Sequence, residues 1–189
     1  MSDFEIRPID ETLFEQCWQL RIRALKEHPD AFGAPWAKAA ALSPTEVRAN
    51  FELRWIGGDN DLFVAVNASG EIGGMTGTYR EDGYKNQHRM HIWGVYVAPE
   101  YRGLGLSSRL LDAAIGYCRR VEGVLQVELQ VVSQNRPAVR SYERAGFVRW
   151  GRLPRADILD DVVLDNDFMV LMLDTASGTT EQQTEGTNA

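Results

Sequence analysis

The chain has 189 residues, 44% of them hydrophobic and 25% charged, which suits one globular domain with a core of its own. Twenty Lys and Arg against 27 Asp and Glu leave a net charge of −7, which opposes binding to a nucleic acid backbone through the whole surface. Apolar runs such as residues 62–66 fall far short of the roughly 18 residues a membrane span needs, and the acidic start lacks a basic and apolar leader, so no membrane partner and a cytoplasmic location are expected.

Phe4 and Ile6 alternate with Glu5 and Arg7, and Pro8 suits the end of a first strand. From Leu13 the apolar residues Phe14, Cys17, Trp18 and Leu25 recur at helical spacing, predicting a helix that stops before Pro29. A loop rich in Ala, Gly and Pro then runs to Leu42. Ser43, Pro44, Thr45 and Glu46 form a capping box with proline at the first helical position, and Val47, Phe51 and Trp55 extend the apolar face behind it.

Residues 62–66 and 72–79 flank Asn67 to Glu71, where Asn and Gly favour a reversal, so a hairpin is predicted. After a polar stretch at 80–87, residues 90–97 are apolar on both faces and read as a central strand. A helix over 107–120 carries Leu110, Leu111, Ala114, Ile115 and Cys118 on one stripe. A strand at 124–132, a short helix at 137–145 ended by Gly146, and a last strand at 168–173 complete the chain. Before that last strand lies a run read as a loop, with Asp157, Asp160, Asp161, Asp165 and Asp167 and no basic residue among them. Such a run either attracts a cationic amine or is simply solvated. Cys17 and Cys118 each fall on an apolar helical stripe, which favours buried thiols over a disulfide. The order of elements is α/β, in a single domain over 1–173. Residues 174–189 hold no large apolar side chain and are expected to be a disordered tail.

The stretch from Val95 through Ser108 passes from a buried strand through a glycine turn into an amphipathic helix. Gly103 and Gly105 let the backbone approach a ligand closely, and the open amides of the helix start attract an anion, for which a pyrophosphate is suited. No Lys follows Lys85, which excludes a Walker-type loop, and Ser108 stands where a dinucleotide fingerprint needs its third Gly.

Arg102-Gly103-Leu104-Gly105-Leu106-Ser107 resembles the Gln/Arg-x-x-Gly-x-Gly/Ala acetyl-CoA loop of the GNAT acyltransferases, with Ser107 in place of the usual Gly or Ala. The block from Asn135 to Phe147 resembles the family pattern Asn-x-x-Ala-x-x-x-Tyr-x-x-x-Gly-Phe. The resemblance covers nearly the whole chain except the tail. It implies a single-domain GNAT fold, with a central mixed, mostly antiparallel sheet of six to seven strands flanked by about four helices. It also implies acetyl-CoA as co-substrate, no metal, and direct acyl transfer to an amine, so that Cys118 needs no chemical role.

By that resemblance, amides across Leu104, Gly105, Leu106 and Ser107 hold the pyrophosphate with Arg102 at the loop entrance. Backbone groups of Val95, Tyr96 and Val97 pair with the pantetheine arm, and one amide polarises the thioester carbonyl. Gly94 is expected to mark a bulge that makes room for the arm. Tyr142 matches the tyrosine that protonates the leaving thiolate, and Asn135 either caps its helix or bonds the arm. A lysine amine near pKa 10.4 is neutral at pH 7 about once in 2,500, a cost of about 4.6 kcal/mol, so a base helps. His91, four residues before Val95, stands where several relatives place a catalytic Glu. Its other reading is a half-buried strand histidine, and Glu128 is the alternative base. A carboxylate used elsewhere in the family is replaced here by Gln130.

By the same resemblance the acceptor is expected between the first two helices and the run before the last strand, where His28, Phe32 and Trp36 either shape an apolar pocket or are lid or core residues. It is a small-molecule amine or a protein or peptide amine. Homodimers are common in the family. The competing reading is an acyl-CoA-binding sensor or interaction module without turnover.

Overall fold

The computed structural model of the protein describes residues 3–173, so the tail assigned to residues 174–189 lies outside the described residues. One seven-stranded sheet runs in the order β1-β2-β3-β4-β5-β7-β6. Its strands are β1 (Phe4–Pro8), β2 (Asp61–Asn67), β3 (Ile72–Arg80), β4 (Arg89–Val97), β5 (Gln126–Val132), β6 (Val148–Leu159) and β7 (Val162–Met172). The helices are α1 (Phe14–Glu27), α2 (Trp36–Ala40), α3 (Pro44–Asn50), α4 (Leu106–Cys118) and α5 (Arg136–Arg144). Only β4 and β5 pair in parallel; every other neighbour pair is antiparallel. The expected mixed, mostly antiparallel α/β sheet is therefore found.

Both faces of the sheet are covered. On one, Leu110, Leu111 and Ala114 of α4 pack with Met90 of β4, Val127 of β5 and Met169 of β7. On the other, Phe14 and Leu25 of α1 and Phe51 meet Val64, Met75 and Tyr96. Phe14 and Phe51 stack with ring centroids 4.3 Å apart. The capping box at α3 is present, with Ser43 Oγ accepting from the Glu46 amide and the Glu46 carboxylate accepting from the Ser43 amide. Cys17 and Cys118 are free and buried, and burial pushes both thiols up to about 12, which leaves them unreactive. Among the described residues no helix is long and apolar enough to cross a membrane.

Two expectations need correction. The stretch read as a loop before α3 contains α2, a five-residue helix with only Ala39 buried, too short to show a period. The second correction is larger: residues 148–167 are not a loop but β6 and most of β7, a hairpin that turns at Asp160 and Asp161 with φ of +46° and +66°. As the edge strand, β6 is exposed along most of its length, so it carries no inward-outward alternation, and Gly151 and Pro154 mask it further.

Some of the aspartates that made this run look solvated are its fasteners. Arg152 Nε and Nη2 donate to the two oxygens of Asp167 at 2.6 and 3.0 Å, and Ser133 Oγ donates to it at 2.8 Å. The Asp165 carboxylate accepts from the Arg155 amide. The hydrogen bonds from Arg152 hold the Asp167 carboxyl below its usual 3.8. A carboxyl depressed in the fold contributes stability above its unfolded pKa, and that contribution is lost as pH falls through the lower folded value.

Leu110 is fully buried between α4 and the sheet. Leu110→Ala is expected to cost about 2–5 kcal/mol of unfolding free energy, measured by chemical denaturation.

Candidate active site

β4 and β5 pair at Arg89 with Gln126, Met90 with Val127 and His91 with Glu128, and then separate. The cause is local to β4. Gly94 has φ of +66°, and the β3–β4 register shifts so that Gly94 and Val95 together oppose Thr76. Two residues against one is a bulge, which bends the strand away from its neighbour. The separation opens a cleft of about 670 Å³, walled by Trp93, Gly94, Val95, Tyr96 and Val97 on one side and by Val131, Val132 and α5 on the other. The β5-facing edge of residues 94–97 thus has no strand partner among the described residues.

Beyond β4 the chain reaches α4 through Gly103 and Gly105, with φ of +81° and +72°. Gly105 is the N-cap of α4 and no side chain caps the helix, so its first-turn amides remain open. A Cβ on either glycine would meet nothing within 4 Å. Their requirement is conformational, since an L-residue in the left-handed region costs about 1–2 kcal/mol. Arg102 is pinned, its Nε donating to Val97 O at 3.2 Å and its Nη2 lying 3.0 Å from His28 Nε2. A guanidinium only donates, so His28 Nε2 is the acceptor. Ser107 Oγ lies 3.4 Å from Ser141 Oγ and joins α4 to α5 at the cleft wall. Asn135 Oδ1 accepts from the Ala138 amide at 3.2 Å and caps α5 while lining the cleft.

Tyr142, on the inner face of α5, also lines this cleft. It is 9% exposed, its hydroxyl has no hydrogen-bond partner among the described residues, and burial pushes it up to about 12.

The two candidate bases are elsewhere. His91 is not among the cleft-lining residues. It stacks on Tyr79 with ring centroids 4.7 Å apart, and its buried Nε2 is 2.5 Å from Glu81 Oε2 without hydrogen-bond alignment. Glu128 faces a separate hollow with Arg89, Gln126 and Trp150. Burial raises its pKa, but hydrogen bonds from Arg89 at 2.6 and 2.9 Å and from Gln126 at 2.6 Å outweigh this and hold it below the usual carboxylate value. A carboxylate so engaged is a poor base. The spacing that selected His91 fixes position along the strand but not which side of the split the side chain meets, and Glu128 was the alternative on the neighbouring strand.

A second cavity, of about 720 Å³, lies between the end of α1, the chain into α2, and the β6–β7 hairpin. Asp30, Phe32, Gln130, Val131 and Val132 line both spaces, so the two meet at a shared wall. Of the residues expected to shape an acceptor pocket, His28 lines the cleft, Trp36 the second cavity and Phe32 both. Asp30 and Asn166 were not singled out in the sequence; Asn166 sits in an acidic run whose strand character was hidden. Among the described residues no group of three or more His, Cys, Asp or Glu is arranged to hold a metal ion.

Residues 22–147 match the model of the acetyltransferase (GNAT) family. The chain is 31% identical to a mycothiol acetyltransferase of Salinispora arenicola over 69% of its own length and 40% of the relative's. It is 34% identical to a streptothricin acetyltransferase of Streptomyces lavendulae over 49% of its length and 47% of that protein. The chain therefore spans about 40% of the length of the mycothiol acetyltransferases it matches. A GNAT-family acetyltransferase from Streptococcus pneumoniae superposes with a TM-score of 0.81 at 20% identity, covering 90% of this chain and 100% of that one. The Salmonella typhimurium protein yncA, solved with its cofactor acetyl-CoA, superposes at 0.73 and 22% identity over 93% and 97% of the two chains. At such identities the structural likeness is one of fold.

Two glycine substitutions separate the bulge from ordinary helix packing. Gly94→Ala is expected to lose about 1–2 kcal/mol in chemical denaturation, because an alanine is strained there. Gly116→Ala, within α4 and with room for a Cβ, is expected to gain about 0.4–1 kcal/mol. An equal response at both positions would contradict the bulge.

Proposed function

The chain belongs to the acetyltransferase (GNAT) family, and from that premise we propose that it is an enzyme transferring an acetyl group from acetyl-CoA directly to the amine of an acceptor. The observation that carries this reading is the split between β4 and β5, which ends on the open helix start of α4 and shares a wall with a second cavity. The residues present suit acetyl-CoA. The amides of Leu104, Gly105, Leu106 and Ser107 would hold the pyrophosphate with Arg102 beside them. The free edge of Val95, Tyr96 and Val97 would take the pantetheine arm as an added strand. When bound, acetyl-CoA supplies an acyl thioester activated toward an amine.

The protein's part is placement, charge stabilisation and proton handling. An amide of the Gly94–Val97 edge aimed at the thioester carbonyl stabilises the negative charge that develops there. Tyr142 donates a hydrogen bond to the departing sulfur. With its pKa up at about 12, well above a thiol's roughly 8.5, the phenol keeps its proton and stabilises the thiolate by donation rather than by complete transfer. This unpartnered donor favours turnover over a silent acyl-CoA sensor, which has no use for it.

The acceptor enters through the second cavity and meets the cleft at the shared wall. We assign its proton to water in that open space beside Asp30, in place of His91 or Glu128. An amine near pKa 8 needs only about 1.4 kcal/mol to lose that proton at pH 7. The relatives carry names for different substrates, mycothiol and streptothricin, so likeness alone does not pass an acceptor to this chain.

In an assay of free CoA thiol release over a panel of amines, Tyr142→Phe is expected to lower kcat about 100-fold while the acetyl-CoA dissociation constant stays within about threefold. An unchanged kcat would remove Tyr142 from the reaction. Gly105→Ala is expected to weaken acetyl-CoA binding by about tenfold in calorimetry, the equivalent of the 1–2 kcal/mol of backbone strain it introduces.

A further inference from the structure

The second cavity has an uneven chemistry. Within it Asn166 of β7, the register partner of Val132, is 4% exposed, and its Nδ2 donates to Asp157 Oδ2 at 2.7 Å. Its Oδ1 is buried and has no hydrogen-bond partner among the described residues. An orphan acceptor in a buried place is costly, about 1–3 kcal/mol, unless something donates to it. Beside it, Asp157 and Asp160 line the same cavity, and neither forms an ion pair among the described residues. Lys26 is the single basic side chain among the described lining residues, and its Nζ is drawn over the Trp36 ring, 5.4 Å from the centroid.

This part of the cavity therefore presents an amide oxygen with no donor among the described residues and two exposed carboxylates with no cation paired to them. The reacting amine does not satisfy it, because that nitrogen must be neutral to react and a neutral amine does not balance the carboxylates. We propose that the acceptor is a small molecule with a second, non-reacting cationic nitrogen, which donates to Asn166 Oδ1 and sits against the Asp157 carboxylate. The proposal rests on the acetyltransferase reading above and deepens it. Asn166 and Asp157 are then specificity-determining residues: they hold the far end of the substrate and touch none of the reacting atoms. A neutral acceptor of the same length leaves the buried Asn166 Oδ1 unpaired, which is how a buried polar atom rejects a ligand lacking the matching group.

The test compares α,ω-diaminoalkanes of three to six carbons with the monoamines of the same length, by CoA release with acetyl-CoA. Wild type is expected to favour the best diamine over its monoamine by at least about tenfold in kcat/KM. Asp157→Asn, nearly isosteric, is expected to reduce that preference to about twofold or less and leave the monoamine rate unchanged. Asn166→Ala, checked for folding by thermal denaturation, is expected to act in the same direction. Asp165→Asn removes the same charge outside the cavity and is expected to leave the preference intact, which separates a local site from general attraction by an acidic surface. Equal kcat/KM for diamine and monoamine in wild type would overturn the proposal, as would a preference that all the Asp variants reduce alike.

Calorimetric titration of the diamines into protein saturated with CoA reads the site without turnover. Diamine binding lost in Asp157→Asn, with no CoA release on any amine, would support the cation site and sink the enzyme reading. CoA release on monoamines without diamine binding would do the reverse.

Discussion

The structure depends on one interruption: the parallel pairing of β4 and β5 lasts three residue pairs and stops. Unpaired backbone amides and carbonyls in the middle of a sheet are unfavourable, and most folds do not leave them. Here the split is held open from both sides. Gly94 bends β4, while β5 is committed to β7 through seven register pairs from Gln126 to Val132. The core under α4 pins the rest, since Met90, Val127 and Met169 are packed there and cannot follow the strands apart. The cleft, its open strand edge and the glycine turn beyond it are consequences of that one break.

The same break explains how charge is distributed. β7 runs against β5, so its residues alternate between fastening the hairpin and facing the second cavity. Asp167 points to Arg152 and Ser133 and is structural. Asn166 and Asp157 point to the cavity and are left with capacity to spare. Five aspartates that look equivalent in the sequence serve different uses: Asp165 and Asp167 of β7 fasten the hairpin, Asp160 and Asp161 make its turn, and Asp157 of β6 meets Asn166. Tyr142 is the corresponding case on α5, where burial keeps the phenol protonated and the cleft leaves it without a partner.

Much of this was legible in the chain. The apolar stripes of α1 and α4, the capping box of α3, the hairpin at Asn67 to Gly70 and the glycine turn before α4 are local patterns, and each is found. Gly94 was readable as a bulge because an isolated glycine in an apolar strand has few other uses. The β6–β7 hairpin was not readable, since an edge strand with both faces in water has no period and its turn is made by two aspartates rather than by Asn-Gly. His91 and Glu128 show a different limit. The spacing of His91 to Val95 is right, yet the bulge at Gly94 between them changes which way the side chain faces. Tertiary partners such as Arg89 on Glu128 are invisible in one sequence.

Hydrogen exchange of backbone amides with and without acetyl-CoA tests the split most directly. Saturating acetyl-CoA is expected to protect residues 94–97, the turn and helix start at 103–108, and the cleft-facing part of 135–142, while β1, β2 and β6 exchange as before. Binding without protection of residues 94–97, or protection concentrated elsewhere, would show that the open edge of β4 is not where the arm lies and would contradict the whole assignment of the cleft.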